Sequence, residues 1–512
     1  METFFNKIFS WKSLYTFFIL LIFTIGFWLR LDLYLYNFDL HVDEASLALN
    51  SIDLRYSKLF KPLGDFQTAP PMFLVISKFL YGLVKINYTV DFSTLVLRFF
   101  PFLCSVCTIP MFSYLSNAIL KNRFLTVIGT FFIAINPGLI SYSAIYKQYS
   151  LEALVAILVI ILTLKIDLKN GNNYINLFFF ILIALAPFFS YSSCFIFPGV
   201  FIYLVLKNIK QERKNFLFVG LAFIMIVYAL YSYYYLYNIY FVNYAYKKTF
   251  FLNNGHAANL YSALVLFVEQ AFRVYNNWGK NILTLILILS SSVLIYKNKL
   301  LSVLIITPFI ICTIFTVFYH CGIVERLILF LVPFSIIIYL YLFKIIKLKI
   351  FIKYRKLLYT IAFIIISACS LTAPNKNCIL KKCEYSKHVW NYFRENYKEG
   401  DVIIILPSSH SISYYAKFSN IETTPIYLNP KTRQYKKGKS WKIGDMRLIN
   451  QIPDGIIHIL ATRYDLKSKA ALKGVLLKEY KIIDYKLYRA AQTDNRELKD
   501  GVYMKLQRRL KP

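Results

Sequence analysis

The chain has 512 residues, of which 58% are hydrophobic, and it carries a formal net charge of +33. This composition is too apolar for an ordinary soluble globular protein. Much of the positive charge lies in short connectors between apolar runs, where Lys and Arg set the orientation of membrane insertion, so we do not assign it to nucleic-acid binding. The sequence therefore predicts an integral membrane protein.

Apolar runs of near-bilayer length recur through the first three quarters of the chain and predict about eleven membrane helices. The first run follows Lys7 and Lys12 and leads into Arg30 without a small-residue cleavage site, which predicts a retained anchor and not a removable signal. The predicted helices are Leu14 to Leu31, Leu95 to Leu120, Phe124 to Tyr142, Tyr149 to Ile166, Ile175 to Tyr191, Cys194 to Leu206, Phe216 to Tyr237, Ile282 to Tyr296, Leu300 to Phe318, Leu327 to Phe343 and Leu357 to Ala373.

The stretch from Pro70 to Ile86 is apolar but carries Lys78 and Lys85, so it could cross the membrane or lie in its interface. If it lies in the interface and the N-terminus is inside, the basic connectors all fall on the cytoplasmic side, as the positive-inside rule requires. We therefore predict an interfacial helix. The segments that then face out are Asp32 to Thr94, Ser143 to Gln148, Asn238 to Asn281, Tyr319 to Arg326 and everything after Pro374.

The C-terminal segment, residues 375–512, alternates helical stretches with short apolar strands and predicts a small extracytoplasmic α/β domain that follows a membrane domain of residues 1–374. Cys378 and Cys383 in this segment could form a disulfide or remain two free thiols. The Lys-rich stretch from Lys431 to Lys442 predicts a solvated loop, with contact to anionic lipid or glycan phosphate as the alternative.

A carboxylate pair, Asp43 and Glu44, stands just outside the first predicted helix, at the head of a second helical stretch. The plain interpretation is that Asp43 is a helix N-cap, because Asp is among the best capping residues and Glu44 suits the positive end of the helix dipole. The next outer element, from Gly64 to Leu74, contains Pro70 and Pro71, and Pro is favoured in the first turn of a helix. Together the two elements indicate a functional site more specifically than either one alone.

In this order, Asp43-Glu44, Pro70-Pro71, Arg98 through Pro101, and Arg326 with Pro333 resemble the protein O-mannosyltransferase and aminoarabinose transferase superfamily. These are membrane glycosyltransferases of the GT-C fold. The resemblance covers the first three quarters of the chain. It implies a multi-spanning helical fold, an outward-facing active site and a polyprenyl-phosphate sugar as the donor.

The chain departs from this family pattern after the third predicted helix. Relatives often carry an acidic residue there, followed by an Arg before the Tyr that opens the next helix. Here Ile145 stands at the acidic position, and Lys147 keeps a positive charge before Tyr149. A Lys ammonium is a point charge and cannot form the paired hydrogen bonds of an Arg guanidinium. The missing carboxylate argues against a tightly held metal.

The chemistry that the resemblance implies assigns roles to particular residues. An acceptor hydroxyl must lose a proton as it attacks the anomeric carbon. We expect Asp43 to accept this proton as the general base, with Glu44 as the second catalytic carboxylate. The leaving lipid phosphate needs fixed cations, for which Lys147 and Arg326 are the candidates. His41, Tyr149 and Glu325 are candidate substrate-binding residues.

Three of these assignments have alternatives. Glu325 and Arg326 could simply form an ion pair at a helix end. His41 and His320 could hold a divalent cation with Asp43 and Glu325, although we expect no cofactor. Arg98 fits a structural anchor at the membrane boundary better than a ligand.

The sequence thus favours an inverting hexosyl- or pentosyltransferase that moves a sugar from a polyprenyl-phosphate donor to a lipid, glycan or protein acceptor on the outer face of a bacterial cytoplasmic membrane. Motifs for nucleotide-sugar binding are absent from plausible sites. A transporter or flippase is one alternative, but it would place charges near the bilayer midplane. A non-catalytic scaffold of a glycan-assembly complex is the other, and Ile145 supports it.

Overall fold

The computed structural model divides the chain into two compact units, here called the membrane unit and the C-terminal unit. The membrane unit comprises Met1–Tyr36, Leu54–Leu83 and Leu95–Pro374, and the C-terminal unit comprises Asn37–Asp53, Val84–Thr94 and Asn375–Pro512. The structure describes residues 11–64, 67–83, 90–169, 171–209, 214–235, 259–273, 276–318, 323–345, 386–398, 401–405, 412, 414–415, 456–461, 480–488 and 501–508. The predicted helix from Leu357 to Ala373 and the pair Cys378 and Cys383 lie outside these residues.

Apolar sequence runs become helices throughout the described part of the chain. In order they are α1 (Trp11–Tyr36), α2 (Val42–Asp53), α3 (Pro71–Leu83), α4 (Val90–Leu120), α5 (Arg123–Ile135), α6 (Pro137–Ser141), α7 (Tyr149–Lys165), α8 (Asn173–Phe189), α9 (Ser193–Asn208), α10 (Lys214–Tyr235), α11 (Leu260–Phe272), α12 (Asn277–Lys297), α13 (Lys299–Phe318), α14 (Glu325–Ile328) and α15 (Val332–Ile345). Short 3₁₀ turns at Tyr56–Phe60, Tyr142–Ala144 and Leu329–Leu331 connect some of them.

Among the described residues, six helices are long and apolar enough to cross a membrane, or seven if one bent pair counts as a single span. The chain is therefore an integral, multi-pass membrane protein. Helices α8, α9 and α11 are apolar but shorter. Helix α3 has 13 residues, which rise about 20 Å, less than the hydrocarbon core of about 30 Å.

The prediction of one continuous helix from Phe124 to Tyr142 is wrong, because the helix breaks at Asn136 and its two parts meet at 45°. Pro137 has no backbone N–H and starts a new helix, while the Asn136 side chain accepts a hydrogen bond from Leu139 N–H at 3.0 Å. The fully buried Arg30 stabilises the end of α5. Its guanidinium donates to the carbonyl oxygens of Ile133 and Ala134 at 3.2 and 2.8 Å.

The C-terminal unit contains helix α16 (Ser386–Asn396) and a sheet of four strands, β1 (Val402–Ile405), β2 (Ile456–Ala461), β3 (Tyr480–Tyr488) and β4 (Gly501–Arg508). The strand order is β1-β2-β4-β3. Strands β1 and β2 are parallel, whereas β2 and β3 both pair antiparallel with β4. Trp390 and Phe393 bury one face of α16. This confirms the predicted strand-containing C-terminal region.

Candidate active site

Helix α2 carries the acidic pair that the sequence singles out. Because α2 begins at Val42, Asp43 lies within its first turn and is not its N-cap, so the plain interpretation of Asp43 is wrong. Glu44 performs the capping instead: its Oε2 atom accepts a hydrogen bond from His41 N–H at 3.1 Å, and the side chain is buried. This is the back-bond of a capping box, in which the third helical residue satisfies the N-cap N–H.

Asp43 is more accessible than Glu44. The side chains of His41 and Asp43 are 27% and 35% exposed, and His41 Nδ1 lies 4.0 Å from Asp43 Oδ2. His41 Nδ1 also accepts the Asp43 N–H at 3.3 Å. In the neutral imidazole the ring proton therefore sits on Nε2. Of the two carboxylates, Glu44 is the one bound to the helix terminus, and Asp43 is the more exposed.

Lys147 lies in the turn between the 3₁₀ helix and α7, next to the departure at Ile145. Its side chain is 7% exposed, and its Nζ atom donates to Gln67 Oε1 at 2.7 Å. Gln67 comes just before Pro70 and Pro71, so this bond joins two elements that the sequence identifies separately. The sequence analysis missed Gln67, because nothing local indicates a partner 80 residues away.

Glu325 opens helix α14, and its partner is Arg273, another residue that the sequence analysis missed. Arg273 donates from both Nε and Nη2 to Glu325 Oε1, at 2.8 and 2.5 Å. Arg273 follows helix α11 with φ 52° and ψ 40°, the left-handed region that non-glycine residues rarely adopt. A strained backbone and a charge-assisted hydrogen bond thus meet at one residue.

Tyr142 lies within electrostatic range of this ion pair. Glu325, Arg326 and Arg273 are all close enough to act electrostatically on its hydroxyl. The Tyr142 ring also packs edge-on against Tyr149, with ring centroids 5.2 Å apart. The membrane unit therefore brings together three of the predicted site residues, Tyr149, Glu325 and Arg326.

Gly138 packs closely against the start of helix α14. A Cβ atom at Gly138 would lie 2.9 Å from Leu329 Cδ1 and 3.3 Å from Glu325 Oε1. The neighbouring Asn136 donates to the Ala271 carbonyl, in the last turn of α11, at 3.3 Å. The break between α5 and α6, the end of α11 and the start of α14 thus meet at the carboxylate of Glu325.

Two buried ionisable residues in the membrane unit have plain structural partners. Glu152, in the first turn of α7, is buried and accepts the backbone N–H of Tyr191. Arg98, buried in α4, lies within electrostatic range of Tyr34. The role of Arg98 as a structural anchor stays a prediction.

His41, Asp43 and Glu44 belong to the C-terminal unit, whereas Lys147, Tyr149, Glu325 and Arg326 belong to the membrane unit. Within the described residues, His, Cys, Asp and Glu side chains form no group of three or more that could hold a metal ion. His320 and the stretch from Lys431 to Lys442 lie outside the described residues.

Comparison with known proteins finds similarity at the level of the fold. No protein-family model matches the sequence, and no curated protein sequence does. The fold is similar to that of ArnT from Cupriavidus metallidurans in the apo state, with a TM-score of 0.50, 11% identity and coverage of 97% of both chains. For the same protein bound to undecaprenyl phosphate, the TM-score is 0.52 at 10% identity, over 97% of this chain and 98% of that chain.

A second solved structure shares the fold over less of its own length. It is the Archaeoglobus fulgidus oligosaccharyltransferase in complex with Zn and sulfate, with a TM-score of 0.50 and 13% identity, over 86% of this chain and 68% of that chain. These likenesses confirm the predicted fold class, a polytopic helical membrane protein with a small C-terminal region that contains strands.

Proposed function

We propose that this protein is a membrane glycosyltransferase that moves a sugar from a polyprenyl-phosphate carrier to an acceptor outside the cytoplasm. The observation that carries the proposal is similarity along 97% of the chain to ArnT, one structure of which holds undecaprenyl phosphate. The motifs that the sequence shares with the protein O-mannosyltransferase and aminoarabinose transferase superfamily support the same class of reaction.

In the proposed reaction the acceptor hydroxyl attacks the anomeric carbon of the sugar. The new glycosidic C–O bond forms as the bond to the lipid phosphate breaks, so the configuration inverts and polyprenyl phosphate leaves. Asp43, the more exposed carboxylate at the head of α2, accepts the hydroxyl proton. Either a hexosyl or a pentosyl group fits this scheme.

The leaving phosphate requires positive charge at fixed positions. Lys147 suits this role because its amine is buried and its direction is set by Gln67. Arg326 supplies a second cation in the cluster around Tyr142. Tyr149 and Glu325 remain candidate substrate-binding residues in this scheme, and His41 is a third, beside Asp43.

The positive-inside rule supports an inside N-terminus and an outward-facing C-terminal unit, in a bacterial cytoplasmic membrane. The acceptor is then a lipid, a glycan or a protein on the outer face. No resident cofactor is part of this scheme.

Transport is the second candidate, because Glu152 is a buried carboxyl within an apolar helix, and such groups often mark transport pathways. Its hydrogen bond to the Tyr191 N–H gives it a structural role as well. The two functions differ in product, since a flippase returns its lipid substrate chemically intact.

The test uses the purified protein in liposomes with a panel of radiolabelled polyprenyl-phosphate sugars and mixed acceptors. We expect label to move from lipid to acceptor, with inverted anomeric configuration in the product. Intact labelled lipid on the opposite leaflet would support transport instead. If the folded protein carries out neither transfer nor translocation, the result favours a non-catalytic scaffold.

A further inference from the structure

The segment that carries Asp43 belongs to the same compact unit as the C-terminal sheet. Residues 37–53 form this unit together with residues 84–94 and 375–512. Phe38 and Leu40, just before helix α2, are buried within it. The position of Asp43 is therefore not set by the local helix alone.

Two hydrogen bonds from distant parts of the chain hold this segment. Asp39 Oδ2 accepts the Lys387 N–H at 2.9 Å, in the first turn of helix α16, where the helix dipole favours a carboxylate. The hydroxyl of Tyr415, which is 2% exposed, accepts the Leu40 N–H at 3.3 Å. These partners lie 348 and 375 residues away in sequence.

The start of the segment is fixed in the same way. Asn37 adopts φ 47°, a left-handed conformation that Asn tolerates better than most residues. Its side-chain oxygen accepts a hydrogen bond from the Thr94 hydroxyl at 2.7 Å. Next to Thr94, the Ser93 hydroxyl contacts the Tyr414 hydroxyl at 2.7 Å. These hydrogen bonds therefore hold the backbone at the start of the segment in a defined conformation.

Helix α16 is itself held on the sheet. Tyr392 donates to Asp484 on β3 at 3.0 Å, and Lys505 on β4 donates to the Asn396 carbonyl at 3.2 Å. The rings of Phe393 and His458 pack edge-on with centroids 5.2 Å apart. A continuous set of contacts thus leads from the sheet through α16 to Asp39, four residues before Asp43.

We infer that the C-terminal unit positions the candidate base, with Asp39 and Tyr415 as the positioning residues. The unit then has a function besides any selection of acceptor, because it sets the location of the Asp43 carboxylate. The assignment of Asp43 as base rests on the proposed function, whereas the attachment of its segment to the C-terminal unit does not.

The test measures hydrogen exchange of the amides of residues 38–45 in the full-length protein. We expect Asp39→Ala to speed this exchange about tenfold, as expected for loss of one charge-assisted hydrogen bond. Tyr415→Phe should also speed the exchange of these amides. Asp39→Asn should speed it less than Asp39→Ala does, because the amide oxygen of Asn can still accept the hydrogen bond. Glu395→Ala is the matched control, because it removes an exposed carboxylate from helix α16 that belongs to none of the contacts named above.

Sugar transfer provides the second measurement. If Asp39 positions the base, Asp39→Ala lowers kcat about tenfold and leaves the KM for the donor unchanged, and Asp39→Asn restores part of kcat. Unchanged exchange in Asp39→Ala would overturn the inference, as would equal acceleration in Glu395→Ala. Absence of transfer by the wild-type protein would refute the proposed function, while the exchange experiment would still decide the inference.

Discussion

The ion pair between Arg273 and Glu325 allows a quantitative prediction. Its side chains are only 17% and 12% exposed, and both guanidinium contacts go to one carboxylate oxygen. Removing one partner of a buried pair typically costs about 3–5 kcal/mol. Because this pair keeps some contact with solvent, we expect Arg273→Ala to lower the free energy of unfolding by about 2–3 kcal/mol.

The backbone of Arg273 provides an internal control. Its φ of 52° costs a residue with a Cβ atom about 1 kcal/mol relative to glycine. Arg273→Gly removes the same ion pair but relieves this strain, so it should be less destabilising than Arg273→Ala by about 1 kcal/mol.

The assay is a double-mutant cycle with Arg273→Ala and Glu325→Gln, followed by denaturant unfolding in detergent. We expect a coupling free energy of about 1.5–3 kcal/mol. The pair of Lys280 and Glu269, with one contact at 2.8 Å, is the matched control and should give a smaller coupling free energy. A coupling below about 0.5 kcal/mol, the level of an exposed surface pair, would show that Arg273 and Glu325 do not stabilise each other as a buried ion pair.

Three further predictions concern other parts of the chain. Lys147→Met should weaken binding of labelled undecaprenyl phosphate about tenfold or more, because it removes a fixed cation, whereas Lys165→Met, at the far end of α7, should not. Gly26→Ala should cost about 1–3 kcal/mol in thermal unfolding, because its Cβ would lie 2.6 Å from Ile109 Cδ1, whereas Gly82→Ala meets nothing within 4 Å and should be harmless. Burial lowers the pKa of His458 below its usual 6.5, although the hydrogen bond that Asp401 accepts from its Nε2–H opposes this shift. Stability of the C-terminal unit, followed by hydrogen exchange, should therefore be full above about pH 6.5 and fall as the pH drops towards the lowered pKa, and His458→Gln should remove this dependence.

Hydropathy alone predicts most of the membrane helices, because a run of apolar residues must pair its backbone internally in lipid. Helix α1 is found at Trp11–Tyr36, around the predicted Leu14 to Leu31. Helix α11 was missed, because its 13 residues are shorter than a typical span. The break at Asn136 was also missed, although the Asn-Pro-Gly sequence could have indicated it.

The candidate site could be predicted by residue type but not by partner. The order of the motifs identified Asp43, Lys147 and Arg326, yet neither Gln67 nor Arg273 follows from local sequence. Each of these two residues acquires its role through a contact with a residue far away in the chain, and such contacts depend on how helices pack and not on local propensity. Asp39 illustrates the same limit, since its partner lies 348 residues away.

We propose above that the Asp43 carboxylate, at the head of α2, is the base in sugar transfer. The most direct measurement compares the rate of sugar transfer from a radiolabelled polyprenyl-phosphate donor in the wild-type protein, Asp43→Asn and Asp53→Asn. Asp53 ends the same helix, so its substitution makes the same chemical change at the other terminus. We expect Asp43→Asn to be slower by roughly 10²- to 10⁴-fold, with Asp53→Asn close to wild type. Equal rates in all three proteins would contradict the account.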